Sequence, residues 1–313
     1  MNHIAISHCL CAGREDTITL GMGTEHDGGN FGDLLSRYVV EKLSGKRTVK
    51  YEGNNVYHLC AIGSLLSRNE MCSNIVVWGS GFLSPQEQQY KVALTKFRQW
   101  LRGKTGQPIY LAVRGAKTRE IVLRAGYACP AVYADPALLM PCLYSPRVTK
   151  KFKLGVVLHW SQEKFTSLFS NLEGVKLIPI HRTYQDITRF IEEALQCEYI
   201  LSSSLHGLII ADAYKIPCVR LKMAKHPIAA SEKKDDFKFE DYLSGLNCCR
   251  EDKTGAAYAF HTLVLQPGEK LSTLLIDRVI STSTRRDFPV NLTPLVQAFP
   301  FLAADYKKCE FKI

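Results

Sequence analysis

The chain has 313 residues, of which 46% are hydrophobic and 22% charged. That is more than one core usually fills, so two domains are expected. No run approaches the roughly 18 apolar residues a membrane-spanning helix needs. The net charge of +10 favours anionic partners, but the basic residues are dispersed and carry no nucleic-acid-binding signature, so nucleic acid is not the expected partner.

Residues 1–10 lack a charged lead followed by a long apolar stretch, so no signal peptide is expected. The eleven cysteines are scattered, with no paired CxxC spacing. They read as reduced thiols of a cytoplasmic protein, with neither a zinc site nor a disulfide framework. No metal or cofactor is implied.

In chain order, Gly28-Gly29-Asn30-Phe31-Gly32-Asp33 precedes a helix expected from about Leu34. The runs 75–78 and 108–113 are compact and rich in β-branched residues, closed by Gly79-Ser80-Gly81 and by Arg114-Gly115. A helix is expected between them, over about 85–102. Residues 144–151 are polar and turn-prone and read as an interdomain linker. The alternation then restarts with strands at 153–158, 175–180, 199–201 and 218–221. Helices are expected beyond Ser161, over 186–196 and from Leu208; in the second, Ile187, Phe190, Ile191 and Ala194 share one face.

Short apolar runs alternating with amphipathic stretches predict an α/β protein built of two Rossmann-like parallel-sheet domains facing a cleft. The expected divisions are 1–145, 153–285 and a C-terminal segment, 286–313, packing back on the first domain. Ligands of such sheets sit at the carboxyl ends of the strands.

The sharpest strand-end loop is Ser202-Ser203-Ser204-Leu205-His206-Gly207. Free N–H groups at a helix start, hydroxyl donors and a histidine suit a bound phosphate. Gly207 reads as a position where a ligand approaches the backbone. A serine-capped helix with an incidental histidine is the plainer reading. Arg114 at its strand end suits a bidentate carboxylate or phosphate clamp, or a rim ion pair.

Asn30, Gly32 and Asp33 form a glycine-rich loop that does not fit GxGxxG. Asp33 suits a sugar hydroxyl, or a helix N-cap. Gly79, Ser80 and Gly81 either line the cleft or pack closely. His159 and the pair His181-Arg182 end strands toward the cleft. Lys222, Lys225 and His226 add positive charge, or form a solvated basic loop.

Taken in order, several segments resemble the polysaccharide pyruvyl transferase family. They are Asn30-Phe31-Gly32-Asp33, Trp78-Gly79-Ser80-Gly81-Phe82, Ala112-Val113-Arg114-Gly115 and Ala134-Asp135-Pro136-Ala137-Leu138-Leu139. Ser203-Ser204-Leu205-His206-Gly207, Lys238-Phe239-Glu240-Asp241-Tyr242-Leu243 and Ala298-Phe299-Pro300-Phe301 follow. The 27 or so residues ahead of Asn30 and the stretch 248–270 depart from the family pattern.

The resemblance implies a two-domain GT-B-like fold and transfer of a pyruvyl group from phosphoenolpyruvate onto a sugar as a ketal. It places His206 and Arg114 at donor-binding and catalytic positions, with Asp33 as a further catalytic candidate. Asn30, Gly32, Gly79, Ser80, Gly81, His159, Ser203, Ser204, Leu205, Gly207 and Lys222 are the substrate-binding candidates. The donor belongs on the C-terminal side and the acceptor on the N-terminal side. The acceptor is a free or lipid-linked sugar, the latter placing the protein at the anionic inner face of the membrane. A nucleotide-sugar glycosyltransferase or a non-catalytic glycan-binding protein are the alternatives on the same fold.

Overall fold

β-Branched runs buried on both faces become the strands of two parallel sheets. The computed structural model describes residues 6, 10–11, 16–22, 28–53, 56–66, 74–84, 101, 107–170, 172–224, 232–252, 255–307 and 311–313. The first part of the chain supplies β1 (Thr17–Leu20), β2 (Gly28–Asn30), α1 (Phe31–Ser44), β3 (Arg47–Lys50), β4 (His58–Cys60), β5 (Ile75–Trp78) and β6 (Ile109–Ala112). Helices α2 (Ala116–Arg124) and the short α3 (Met140–Leu143) lead into the second part.

The second part begins with β7 (Phe152–Val157), β8 (Val175–Leu177), β9 (His181–Thr183), α4 (Ile187–Leu195) and β10 (Cys197–Ser202). It continues with α5 (Leu205–Ala213), β11 (Cys218–Met223), α6 (Glu232–Cys249), β12 (Thr262–Leu265), α7 (Thr273–Thr282) and α8 (Thr293–Gln297).

One sheet has the order β3-β1-β4-β5-β6 and the other β12-β11-β10-β7-β8. Every pairing within them is parallel. The fold is therefore α/β with two five-stranded parallel-sheet domains. β5 is buried at all four positions and β10 at four of six.

The two domains are joined at several places. β2 pairs antiparallel with β9, Asn30 opposite His181. Phe31 of α1 stacks on Phe190 of α4 with ring centroids 3.8 Å apart. Helix α6 leaves the second domain and docks on α2 of the first, where Ser244 Oγ accepts from Ala116 N at 2.9 Å. The C-terminal segment lies against β5 and α1: Trp78 Nε1 donates to Leu295 O at 2.7 Å, and Ala303 N donates to Leu43 O at 2.9 Å.

Local chemistry sets the boundaries. Asn30 caps α1 with its side chain accepting from Gly32 N, and Gly45 ends that helix at φ 68°. The helix therefore starts at Phe31 rather than Leu34, and Asn30 rather than Asp33 is its cap. α5 starts at Leu205, three residues ahead of the expected Leu208. Strand β8 stops at Leu177, two residues before Pro179, which has no N–H to extend a ladder. The turn after His159 is a 3-10 helix, Trp160–Leu168, with no buried residue. α4 buries Ile187, Phe190, Ile191 and Ala194, the face its periodicity marks. Residues 248–270, the stretch that departs from the family pattern, include β12, an edge strand of the second sheet. Apart from Leu101, the helix expected over 85–102 lies outside the described residues, as do Lys225 and His226.

Candidate active site

The turn after β10 is set by its serines. Ser202 Oγ lies 3.1 Å from Val157 O and 2.9 Å from Ser204 O, and it accepts from Ser204 N at 3.1 Å. Ser203 Oγ accepts from His159 N at 2.9 Å, tying the β7 loop to the β10 loop. Ser204 occupies the cap position of α5 without a side-chain bond to the helix. The first-turn amides of α5 thus keep their capacity to bind an anion. Gly207 serves packing rather than ligand approach: a Cβ there would lie 2.3 Å from Ser202 Oγ and 3.0 Å from Val157 Cγ1.

His206 stands on the first turn of α5 and lies against Gly32 of the other domain. A Cβ on Gly32 would come 2.1 Å from His206 Cε1. His206 Nε2 is buried and has no hydrogen-bond partner. Burial first, then the charges of Lys238, Arg114 and His159, push the imidazole down to about 3. The ring is neutral at pH 7.

It opens on a pocket of about 130 Å³ that Asn30, Asp33, Ser64, Ser204, Leu205 and Lys238 also line. Asp33, in the first turn of α1, lines from the first domain the same pocket that the histidine lines from the second. Asn30 lines the pocket as well as capping its helix.

A second cavity, of about 730 Å³, shares His159 and Lys238 with the first. It lies at the carboxyl ends of β7, β10 and β11, and its volume falls in the range of small-molecule sites. Lys164, Arg220, Lys222 and Lys238 line it, and among the described residues no carboxylate belongs to its lining. Ser203 is also in its wall. Asp236 ion-pairs with Arg220 and, at 3.2 Å, with Lys222. The Arg220 guanidinium lies 3.8 Å above the Phe239 ring. Arg220 Nε and Gln162 Oε1 are buried without partners.

Arg114 is not the open clamp its strand-end position suggests. It is 0% exposed. Nε donates to Asp241 Oδ2 at 2.9 Å, Nη1 to Ser64 Oγ at 2.8 Å and Nη2 to Phe82 O at 2.7 Å. It reaches the small pocket only through Ser64. Gly79, Ser80 and Gly81 also stand behind the wall. Ser80 Oγ is buried and donates to Gly63 O, while Gly79 has φ +93° and meets Pro136. Gly81 faces Arg114. Arg182 pairs with Glu193, and His181 is exposed on β9; neither lines the two cavities.

The polysaccharide pyruvyl transferase family profile matches residues 27–222, more than half of the chain. The chain belongs to the polysaccharide pyruvyl transferase family. It is similar to uncharacterized protein L143 of Acanthamoeba polyphaga mimivirus, 26% identical over 221 residues, covering 69% of this chain and 70% of that one. A solved structure of a functionally uncharacterized protein from Klebsiella pneumoniae subsp. pneumoniae NTUH-K2044 shares 10% identity and a TM-score of 0.41. That likeness covers 75% of this chain and 93% of the Klebsiella chain.

Within this pyruvyl transferase family member, the matched region holds Asp33, Ser204 and His206 but ends before Lys238 and Asp241. Sequence reading placed Lys238 and Phe239 in a family-like segment without a role, and passed over Gln162, Ser64 and Arg220. The one local sign for Arg220 is its place near the end of an otherwise apolar strand. Among the described residues, no group of three or more His, Cys, Asp or Glu could hold a metal ion, and no helix is long and apolar enough to cross a membrane.

Proposed function

We propose that this protein transfers the pyruvyl group of phosphoenolpyruvate onto two hydroxyls of one sugar, forming a pyruvate ketal. The observation that carries this reading is the buried, unpartnered Nε2 of His206, a residue that lines a small pocket together with Ser204, Lys238 and Asp33. An anion in that pocket gives Nε2 its missing partner and meets the positive end of α5.

The donor takes the small pocket and the acceptor the larger cavity. This moves the acceptor from the N-terminal side to the carboxyl ends of β7, β10 and β11. The first sugar hydroxyl loses its proton to Asp33 and adds to C2 of the donor, while the methylene carbon gains a proton and becomes a methyl group. The C2–O bond to phosphate then breaks, and the second hydroxyl closes the ketal as its proton leaves. Two hydroxyl protons are lost, one is gained by carbon and one by phosphate, so the sum balances.

His206 is neutral before the donor arrives. A multiply charged anion beside Nε2 favours the imidazolium, so donor binding brings in the proton that His206 passes on. The +10 charge suits a lipid-linked acceptor at an anionic cytoplasmic membrane face. The test is phosphate release from phosphoenolpyruvate with a panel of sugar acceptors, followed by product mass. His206→Ala is expected to lose about 10²–10⁴-fold. Turnover of that variant near the wild-type rate would sink the assignment.

A further inference from the structure

Four residues of the 3-10 segment Trp160–Leu168 line the larger cavity: Ser161, Gln162, Lys164 and Phe165. Helices of this kind seldom run beyond about four residues. This one has nine, and none of them is buried. Its ends are nevertheless fixed. Ser203 Oγ accepts from His159 N at 2.9 Å, just ahead of the segment. At the far end Leu271 N donates to Leu168 O at 2.9 Å, and the next residue, Phe169, is 1% exposed.

Between those anchors the usual polarity is inverted. Oε1 of Gln162 and Oε1 of Glu163 are buried without hydrogen-bond partners. Trp160 is 53% exposed, with its ring 5.6 Å from that of His159, which lines both pockets. A buried oxygen without a donor and an indole left in water are both costly. A segment carrying both costs, with no core contact to hold it, gives way to an arrangement that relieves them. A sugar ring offers that relief, since its edge carries hydroxyl donors and its C–H face is apolar. We infer that residues 160–168 form a flap that closes over the acceptor and lays Trp160 against the sugar's C–H face. Closure also keeps water from the reacting carbon. That the sugar is a pyruvyl acceptor rests on the proposed function; the sugar-binding flap does not.

Hydrogen exchange and saturation-transfer NMR on the full chain test this. The probes are the methyl glycosides of galactose, glucose, mannose and N-acetylglucosamine, each with and without phosphoenolpyruvate. In the free chain the amides of 160–168 are expected to exchange about tenfold or more faster than those of α5, and at least one glycoside to slow them about threefold or more. Trp160→Ala removes an exposed side chain, so the core stays intact, and it is expected to weaken that glycoside about tenfold. Trp160→Phe keeps an aromatic face and should lose less than about threefold. Leu274→Ala, at an apolar residue 79% exposed on α7, stays at the wild-type value.

A glycoside that Trp160→Ala binds as tightly as wild type overturns the inference. So does a free chain in which 160–168 is as protected as α5, or a segment that no glycoside slows. Slowing by phosphoenolpyruvate alone gives the flap to the donor and overturns it too. A wild type that closes on a glycoside through Trp160, yet releases no phosphate from phosphoenolpyruvate, removes the pyruvyl-transfer reading and leaves the flap standing. Pyruvyl transfer by Trp160→Ala at the wild-type KM for the acceptor removes the flap and leaves that reading.

Discussion

Gly32 in the first turn of α1 and His206 in the first turn of α5 touch so closely that no side chain fits between them. A Cβ on Gly32 would lie 2.1 Å from His206 Cε1. The two residues belong to different domains, and their contact sets how the imidazole faces the small pocket.

Gly32→Ala therefore displaces the ring rather than filling space. Overpacking of this kind costs about 1–3 kcal/mol, and a displacement near 1 Å at a reacting group costs about 10²-fold in rate. The expected result is a folded variant with a modestly lower urea midpoint and kcat/KM down by about two orders of magnitude. Activity unchanged in a folded Gly32→Ala would separate His206 from the reaction.

Donor binding is expected to take up a proton. His206 lies near pKa 3 without ligand, and the donor anion raises it. Above the phosphate's own second pKa, about 6, affinity for phosphoenolpyruvate should weaken as pH rises. Calorimetry in buffers of different ionisation enthalpy reads the uptake directly; His206→Asn should abolish it.

The same depression has a consequence for stability. His206 is about 3 when folded and 6.5 when unfolded, so between those values the unfolded chain binds the extra proton. Stability from this group is fully present above pH 6.5 and is lost as pH falls toward 3, at most about 1.4 kcal/mol per pH unit. His58, pushed down to about 4 mainly by burial, acts in the same direction. Urea midpoints between pH 6 and pH 4 should fall less for His206→Asn than for wild type.

Asp212 acts the other way. Burial raises it to about 7, while Tyr258 and Tyr242 donate to its two oxygens at 2.6 and 2.7 Å. The folded chain holds this proton between pH 3.8 and about 7, so the group's contribution falls as pH rises through that window. Asp212→Asn carries no such ionisation and should be more stable, relative to wild type, at pH 8 than at pH 4. An equal difference at both values would contradict the protonated carboxyl.

The strands were legible because continuous runs such as Ile75–Trp78 are what a sheet buried on both faces requires. The face of α4 was legible from its spacing, and His206 from its place at a helix start. What remained hidden depends on pairings that only packing creates. Arg114 meets Asp241 across 127 positions of sequence, so a strand-end arginine that looked like a ligand clamp is an internal tie. Gly207 and Gly81 looked like ligand-facing glycines, but their missing side chains make room for Ser202 and Arg114. Lys238 carries no local mark of function, since the docking of α6 brings it to the pockets.

The most direct test of the account is a reaction of the purified wild-type chain with phosphoenolpyruvate and an acceptor panel, read by phosphate release and product mass. The account predicts phosphate release that depends on a sugar acceptor, a product with the mass of a pyruvate ketal, and loss of both in His206→Ala. Full activity in His206→Ala, or a nucleotide sugar consumed as donor while phosphoenolpyruvate is left untouched, would contradict it.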